Sequence, residues 1–183
     1  MAIKAHHDVG IHTIVKHFPG HGSSTADSHK GIVNVDSTWR FSELYPYNKV
    51  IESGTCDAVM TAHIINKHWD ESMLPATLSK TVVHDVLRGF LKFDGVVFSD
   101  DMQMYAISKN YGIKTALEKS INAGVDIVLY GNNVDPKDKP LTPQEVHAMI
   151  KKLVKKKKIS RARIDEAYGR IMRMKGEELK MKN

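Results

Sequence analysis

Four short apolar segments, each followed by polar residues, constrain the fold of this chain more than any other feature. They occupy residues 13–15, 58–62, 95–98 and 126–130. Their apolar and β-branched residues run consecutively instead of alternating with polar ones, which is typical of parallel strands covered on both faces. We therefore predict a parallel β-sheet with helices packed against it.

Segments with helical periodicity separate and follow these strands. The predicted helices occupy residues 43–53, 79–90, 113–123, 142–157 and 160–175. The second begins with Ser79 as its N-cap, and the third ends before Gly124, as helices commonly do. The repeated order of strand and helix predicts an α/β fold.

The predicted strands carry polar residues at their carboxyl ends. In chain order these residues are Lys16, His17, His63, Ser99, Asp100, Asp101, Asn132 and Asn133. Parallel α/β proteins, barrels above all, place their chemistry at this end of the strands, so we expect the functional site there. A closed (β/α)8 barrel, however, needs eight strands and about 250 residues, whereas this chain of 183 residues offers four strands.

Composition narrows the class of protein. A hydrophobic fraction of 42% with 26% charged residues excludes disordered and fibrous classes. Cys56 has no second cysteine to pair with, so no internal disulfide is expected. No apolar run approaches the roughly 20 residues that span a bilayer, so we expect no membrane partner.

The net charge of +6 is concentrated at the carboxyl end, because residues 1–150 carry −3 and residues 151–183 carry +9. No aromatic residues interleave with the lysines of residues 151–158 to stack on bases, so a solvated helix face is favoured and no nucleic-acid partner is expected. Contact with another polyanion stays as the alternative.

The first strand runs into a loop, since Pro19, Gly20 and Gly22 prevent regular structure. His17 and His21 are four residues apart, like metal ligands on a helix, but without a helix this spacing does not bring them together, and we expect no metal.

Two pairs of residues are candidates for chemistry. Asp27 and His29 can place a carboxylate against an imidazole and raise its pKa toward an acid/base value; the alternative is an ordinary turn with an idle loop histidine. Asp100 and Asp101 are adjacent and point apart in extended backbone, so one of them can face a pocket at the strand end while the other caps a helix or faces solvent.

Five motifs resemble, in order and spacing, the β-N-acetylglucosaminidases of glycoside hydrolase family 3. They are KHFPGHG at 16–22, DSH at 27–29, VMTAH at 59–63, PATLS at 75–79 and FDGVVFSDDM at 93–102. The resemblance covers nearly the whole chain, to the closing helix at 161–175. It implies a (β/α)8 TIM-barrel type fold with only about four βα units, strands five to eight, present in a single domain of residues 1–183 that ends in a basic helical segment, 142–183.

The resemblance also implies the catalytic residues. Asp100 matches the nucleophile that forms a glycosyl-enzyme intermediate. His29 matches the general acid/base, and Asp27 matches its partner. A retaining reaction needs such a carboxylate and a separate proton donor, here an imidazole in place of the usual second carboxylate.

Lys16 and His17 match residues that hold the hydroxyl groups of the sugar, and we include His63 among the expected substrate-binding residues. The family also uses an aspartate and an arginine from the earlier half of the barrel, for which this chain has no counterpart. We therefore expect a homodimer or a complementary amino-terminal half-barrel. Because four βα units leave both sheet edges unpaired, we expect one residue of each strand to lie near an interface: Val15, Met60, Val97 and Val128.

The implied function is hydrolysis of terminal β-linked N-acetylglucosamine from muropeptides or chitin-type oligosaccharides, without a cofactor, as in peptidoglycan recycling. The first residues lack the apolar core of a signal peptide, so a cytoplasmic location is expected. One alternative is a phosphorylase that uses the same residues, since a histidine base does not repel phosphate as a carboxylate does. The other alternative is an inactive half-barrel that binds only a sugar or a partner half.

Overall fold

The computed structural model describes residues 2–26, 31–133 and 140–176. In chain order its elements are α1 Ala2–His7, β1 Ile14–Phe18, β2 Val33–Asn34, α2 Tyr45–Glu52, β3 Ala58–Thr61, β4 Ile64–Ile65, a π helix Thr81–Phe90, β5 Val96–Asp101, α3 Tyr105–Tyr111, α4 Ile113–Ala123, β6 Ile127–Leu129, α5 Pro143–Lys155 and α6 Arg161–Met174. Two short 3-10 turns, Phe41–Leu44 and Ala76–Leu78, precede α2 and the π helix.

The main sheet has four parallel strands in the order β1-β3-β5-β6. All four are predicted strands, so the parallel sheet is confirmed. The strands β2 and β4 form a separate parallel pair that the sequence did not predict, because two residues each are too few to show a pattern.

One face of the sheet packs against the helices. Val59 and Val97 are paired across β3 and β5, have no exposed surface, and share a core with Leu87 of the π helix and Tyr47 of α2. The prediction that Val97 lies near an interface is therefore wrong, because its position in the strand alternation points it to the helices.

The opposite face of the sheet is less well covered. Ile14 is 40% exposed and Leu129 is 38% exposed, and between them Met60, Phe98 and Ile127 are partly exposed. Within the described residues β1 pairs only with β3, and β6 pairs only with β5, so both edges of the sheet are open. The predicted fold of about four βα units is confirmed in this arrangement.

The lower end of the sheet, where the strands begin, is closed by a buried carboxylate. Asp126 accepts hydrogen bonds from Arg88 of the π helix (2.7 Å), from Arg163 of α6 (2.6 Å) and from the backbone N–H of Val97 (3.0 Å), and Arg170 of α6 lies 3.3 Å away. The carboxylate has no exposed surface. These bonds fix the carboxyl-terminal helix to the sheet.

Helix α5 ends in the predicted basic segment. Lys155 at the end of the helix and the three lysines that follow it, Lys156, Lys157 and Lys158, are solvent-exposed. Across the ranges that the structure describes, no helix combines the length and the apolar character needed to cross a membrane.

Candidate active site

A cavity of about 870 Å³ opens at the upper end of the sheet, where β1 and β5 end. Its lining includes Lys16 and His17 from β1, His21 from the following turn, Glu43 from the 3-10 turn before α2, and Asp100 from β5. The carboxyl ends of β1 and β5 therefore meet at a cavity, as the sequence predicted, whereas none of the described residues of β3 or β6 lines it.

The two adjacent aspartates of β5 have different surroundings. Asp100 lines the cavity, its Oδ1 accepts the N–H of Asp101 (2.8 Å), and its Oδ2 lies 3.6 Å from Nε2 of His17. Asp101 instead accepts the N–H of Gln103 (3.0 Å) and packs against Gly131, where an added Cβ would lie 2.7 Å from its Oδ2. The predicted divergence of the pair is confirmed, and Asp100 is the member that faces the cavity.

The end of β1 brings two basic side chains to the same cavity. Lys16 is exposed and His17 is half-buried, and the pairing of β1 with β3 shifts register between Lys16 and Phe18. The His17 and His21 rings lie edge to face, with centroids 6.2 Å apart. Among the described residues no group of three or more His, Cys, Asp or Glu side chains is arranged to hold a metal ion.

Glu43 is a cavity residue that the sequence did not predict. Its Oε1 accepts a hydrogen bond from the Ser23 hydroxyl (2.5 Å), and a Cβ at Gly20 would lie 2.6 Å from its Oε2. Gly20 also has φ +119, which favours glycine. The hydrogen bond between Ser23 and Glu43 joins residues twenty positions apart, so no local sequence pattern reveals it. Glu43 holds the turn that follows β1.

The predicted acid/base pair, Asp27 and His29, lies outside the described residues. The described chain reaches Ala26, which lines the cavity, and resumes at Gly31.

The predicted sugar ligand His63 lies inside the protein instead of lining the cavity. It has no exposed surface, and its two ring nitrogens lie 2.9 Å from the Thr77 hydroxyl and 2.9 Å from the Asp101 carbonyl oxygen. Burial lowers the pKa of His63, although Asp100 and Asp101 act in the opposite direction. The predicted direct contact with the sugar is corrected, because a sugar in the cavity cannot reach an imidazole without exposed surface.

Comparison with known proteins identifies the family. The model of the glycosyl hydrolase family 3 N-terminal domain matches residues 1–174. The chain belongs to glycoside hydrolase family 3. A solved structure of a family 3 β-N-acetylglucosaminidase from Paenibacillus sp. str. FPU-7 is similar with a TM-score of 0.83 and 35% identity, over 96% of this chain and 32% of that one. The predicted barrel-type fold is thus confirmed.

Several family 3 relatives are curated as beta-hexosaminidases. That of Tolumonas auensis is 37% identical over 130 residues, which cover 69% of this chain and 38% of the relative. That of Mannheimia succiniciproducens is 40% identical over 129 residues, 69% of this chain and 37% of the relative. The chain therefore spans less than two fifths of these relatives.

A solved structure of a beta-glucoside phosphorylase is also similar. Its TM-score is 0.79 at 28% identity, and the match covers 94% of this chain and 32% of that one.

Proposed function

We propose that the chain forms the carboxyl-terminal half of the catalytic barrel of a retaining β-N-acetylhexosaminidase. The observation that carries this proposal is the position of Asp100. Its carboxylate faces the cavity beside His17, whereas the neighbouring Asp101 is held in a local turn. A nucleophile needs an oxygen that the protein leaves accessible to the substrate, and Asp100 has one.

In the proposed reaction, a carboxylate oxygen of Asp100 attacks the anomeric carbon while the bond to the leaving oxygen breaks. His29 gives its proton to that oxygen, and a glycosyl ester of Asp100 forms. His29 then removes a proton from a water molecule, which attacks the anomeric carbon and releases the carboxylate of Asp100. Asp27 orients the imidazole and keeps its pKa high enough to hold the proton.

Lys16 and His17 are assigned to binding the sugar. Both line the cavity, and His17 also lies 3.6 Å from the carboxylate of Asp100. An ammonium and an imidazole can donate hydrogen bonds to the hydroxyl groups of a terminal sugar. The proposed substrate carries terminal β-linked N-acetylglucosamine, on a muropeptide or a chitin-type oligosaccharide, a choice supported by the names of the relatives.

We also propose that a complementary half-barrel, or a second copy of the chain, completes the site. The cavity adjoins β1, whose outer edge is open among the described residues, and the sheet face away from the helices exposes Ile14 and Leu129. Unpaired strand edges and exposed apolar faces favour association. Light scattering should give a mass above that of a monomer, either for the chain alone or after an amino-terminal half from a related enzyme is added.

The test of the proposed reaction is covalent labelling. A mechanism-based fluoro-sugar of the N-acetylglucosamine series, added to the chain with and without the amino-terminal half, should label Asp100, as located by mass spectrometry of peptides. The Asp101→Ala variant should label as the unchanged protein does. Labelling at Asp101, or no labelling in either assembly, would contradict the assignment.

Phosphorolysis is the second candidate, favoured by the similarity to a beta-glucoside phosphorylase. In that reaction phosphate replaces water in the second step, and an imidazole acid/base does not repel it. Product analysis separates the two reactions, because a phosphorylase yields a sugar phosphate when phosphate is present and a hydrolase yields the free sugar with or without it.

A further inference from the structure

The buried His63 connects three parts of the upper end of the sheet. It follows β3 by two residues, its Nδ1 lies 2.9 Å from Oγ1 of Thr77 in the second 3-10 turn, and its Nε2 lies 2.9 Å from the carbonyl oxygen of Asp101 at the end of β5. Thr61, the last residue of β3, adds a hydroxyl 2.8 Å from that of Thr77.

The hydrogen-bond partners fix which ring nitrogen carries the proton. The Asp101 carbonyl can only accept, so Nε2 of His63 donates. In a neutral ring Nδ1 is then an acceptor, so the Thr77 hydroxyl donates to it and itself accepts from Thr61. The Ala62 carbonyl lies 2.9 Å from the Thr77 hydroxyl and competes with Nδ1 for its proton. This carbonyl also accepts the backbone N–H of Thr77 (3.2 Å), so it keeps a donor when the hydroxyl proton is directed to Nδ1.

His63 spans the region where the pairing of β3 with β5 has ended. The last paired residues of these strands are Met60 and Phe98. Beyond them the carbonyl of Asp101 accepts two hydrogen bonds, one from the imidazole of His63 (2.9 Å) and one from the backbone N–H of Met104 (3.0 Å), and only the first ties it to the segment that follows β3. Asp100 lies between these two attachment points of β5, at a place where the pairing with β6 also shifts register.

We propose that His63 is a positioning residue, which as a neutral Nε2–H imidazole holds the Asp101 carbonyl and so fixes the direction of the Asp100 carboxylate into the cavity. The proposal rests on the assignment of Asp100 as the nucleophile. A displacement of a reacting group by about 1 Å can lower the rate about 100-fold without a comparable effect on binding. Loss of the network should therefore lower kcat and leave KM nearly unchanged.

The matched variants Thr77→Val and Thr77→Ser isolate the hydroxyl that sets the ring. Thr77→Val keeps the shape of the side chain and removes the donor, whereas Thr77→Ser keeps the donor. In the assembly that turns over substrate, Thr77→Val should lower kcat and the rate of fluoro-sugar labelling about 10- to 100-fold with KM changed less than twofold, and Thr77→Ser should restore most of the rate. His84→Ala, which changes an exposed histidine on the π helix, is the control.

Nitrogen-15 NMR of the histidine rings tests the same network without requiring activity. His63 should appear as the neutral Nε2–H tautomer at pH 7 and should take up a second proton only at a lower pH than a solvent-exposed histidine does. A proton on Nδ1, or a titration like that of a solvent-exposed histidine, would overturn the proposal. Equal rates for Thr77→Val and Thr77→Ser would overturn it as well.

Failure of the proposed reaction is distinguishable from failure of this inference. If the unchanged protein is neither labelled nor active, the nucleophile assignment fails, and the position of Asp100 is followed instead by the carbon-13 shift of its carboxylate. That shift should change in Thr77→Val and stay constant in Thr77→Ser. A constant shift in both variants would show that His63 does not position Asp100.

Discussion

Asp100 and Asp126 lie at opposite ends of the same sheet, and the protein surrounds their carboxylates in opposite ways. Asp126 has no exposed side-chain surface and is bound by Arg88, Arg163 and a backbone N–H. Asp100 is 19% exposed, accepts one backbone N–H, and has an imidazole 3.6 Å away.

This difference separates a structural carboxylate from a reactive one. The oxygens of Asp126 are occupied by donors, so they can take no part in a reaction with a substrate. Asp100 keeps one oxygen directed toward a cavity. In the sequence, both aspartates lie at an end of an apolar strand segment, so the sequence alone predicts only that charged residues gather at the strand ends. The number of hydrogen-bond donors around each carboxylate then decides whether it is structural or reactive.

The largest expected effect comes from removing the reactive carboxylate. Asp100→Ala should lower turnover by about 1,000-fold or more, because no other group supplies the nucleophile, and the free energy of unfolding should change little. Turnover of an aryl β-N-acetylglucosaminide and denaturant unfolding measure the two quantities. Asp101→Ala is the matched control and should cost far less activity; equal losses would show that the roles within the pair are misassigned.

The structural carboxylate should show the reverse behaviour. Asp126→Ala should lower the free energy of unfolding by about 3–5 kcal/mol, because it leaves buried arginines without their partner. Burial already lowers the pKa of Arg88 to about 10 with Asp126 in place.

The control for this variant is Asp94→Ala, which removes an exposed partner of Arg170 and Arg173 and should cost less than about 1 kcal/mol. Urea titrations of both variants give the comparison. A loss for Asp126→Ala no larger than that for Asp94→Ala would mean that the buried cluster adds no stability.

Glu43 combines features of the reactive and the structural carboxylate, since it lines the cavity and also accepts a hydrogen bond from Ser23. Glu43→Ala and Ser23→Ala should each lower kcat/KM several-fold by loosening the turn after β1. In a double-mutant cycle on unfolding, the coupling between them should be about 1.5–3 kcal/mol, as for a hydrogen bond to a charged group. Glu43→Gln keeps an acceptor and should lose less than Glu43→Ala. A coupling energy near zero would show that the hydrogen bond between Ser23 and Glu43 does not stabilise the turn.

The smallest expected effect concerns Asp57, a second carboxylate at the lower end. Burial by itself raises the pKa of Asp57, but the N–H of Thr13 and the imidazole of His7 outweigh it and hold the pKa below its usual value. The stabilisation is therefore present above about pH 4 and is lost as the pH falls through the lowered pKa. Asp57→Asn should lower the free energy of unfolding at pH 7 by about 1 kcal/mol.

Stability measured from pH 7 to pH 2 checks the sign of this effect. The difference between the unchanged protein and Asp57→Asn should shrink as the pH falls. A difference that grows toward low pH would contradict the lowered pKa.

The parts of the site that the sequence predicted are those that depend on neighbouring residues. The strand that leads to Asp100 follows from its run of apolar residues, and the divergence of Asp100 from Asp101 follows from strand alternation. The direction of His63 could not be predicted, because Thr77 and Asp101, which set it, lie 14 and 38 residues further along the chain.

The same reason explains the missed contact between Glu43 and the turn after β1. Helix α3, Tyr105–Tyr111, was also not predicted, since only Ala106 and Ile107 of its residues are buried and its apolar pattern is correspondingly short.

The contact between Gly20 and Glu43 has a consequence for how this site can change over generations. Any side chain at position 20 would collide with both the Cβ and the carboxylate of Glu43, and the positive φ disfavours other residues there, so position 20 is closed to substitution. A smaller residue at 43 releases the Ser23 hydroxyl and with it the turn beside the cavity. Positions 23 and 43 should therefore be inherited as a pair, whereas position 20 should stay glycine in every lineage that keeps this turn.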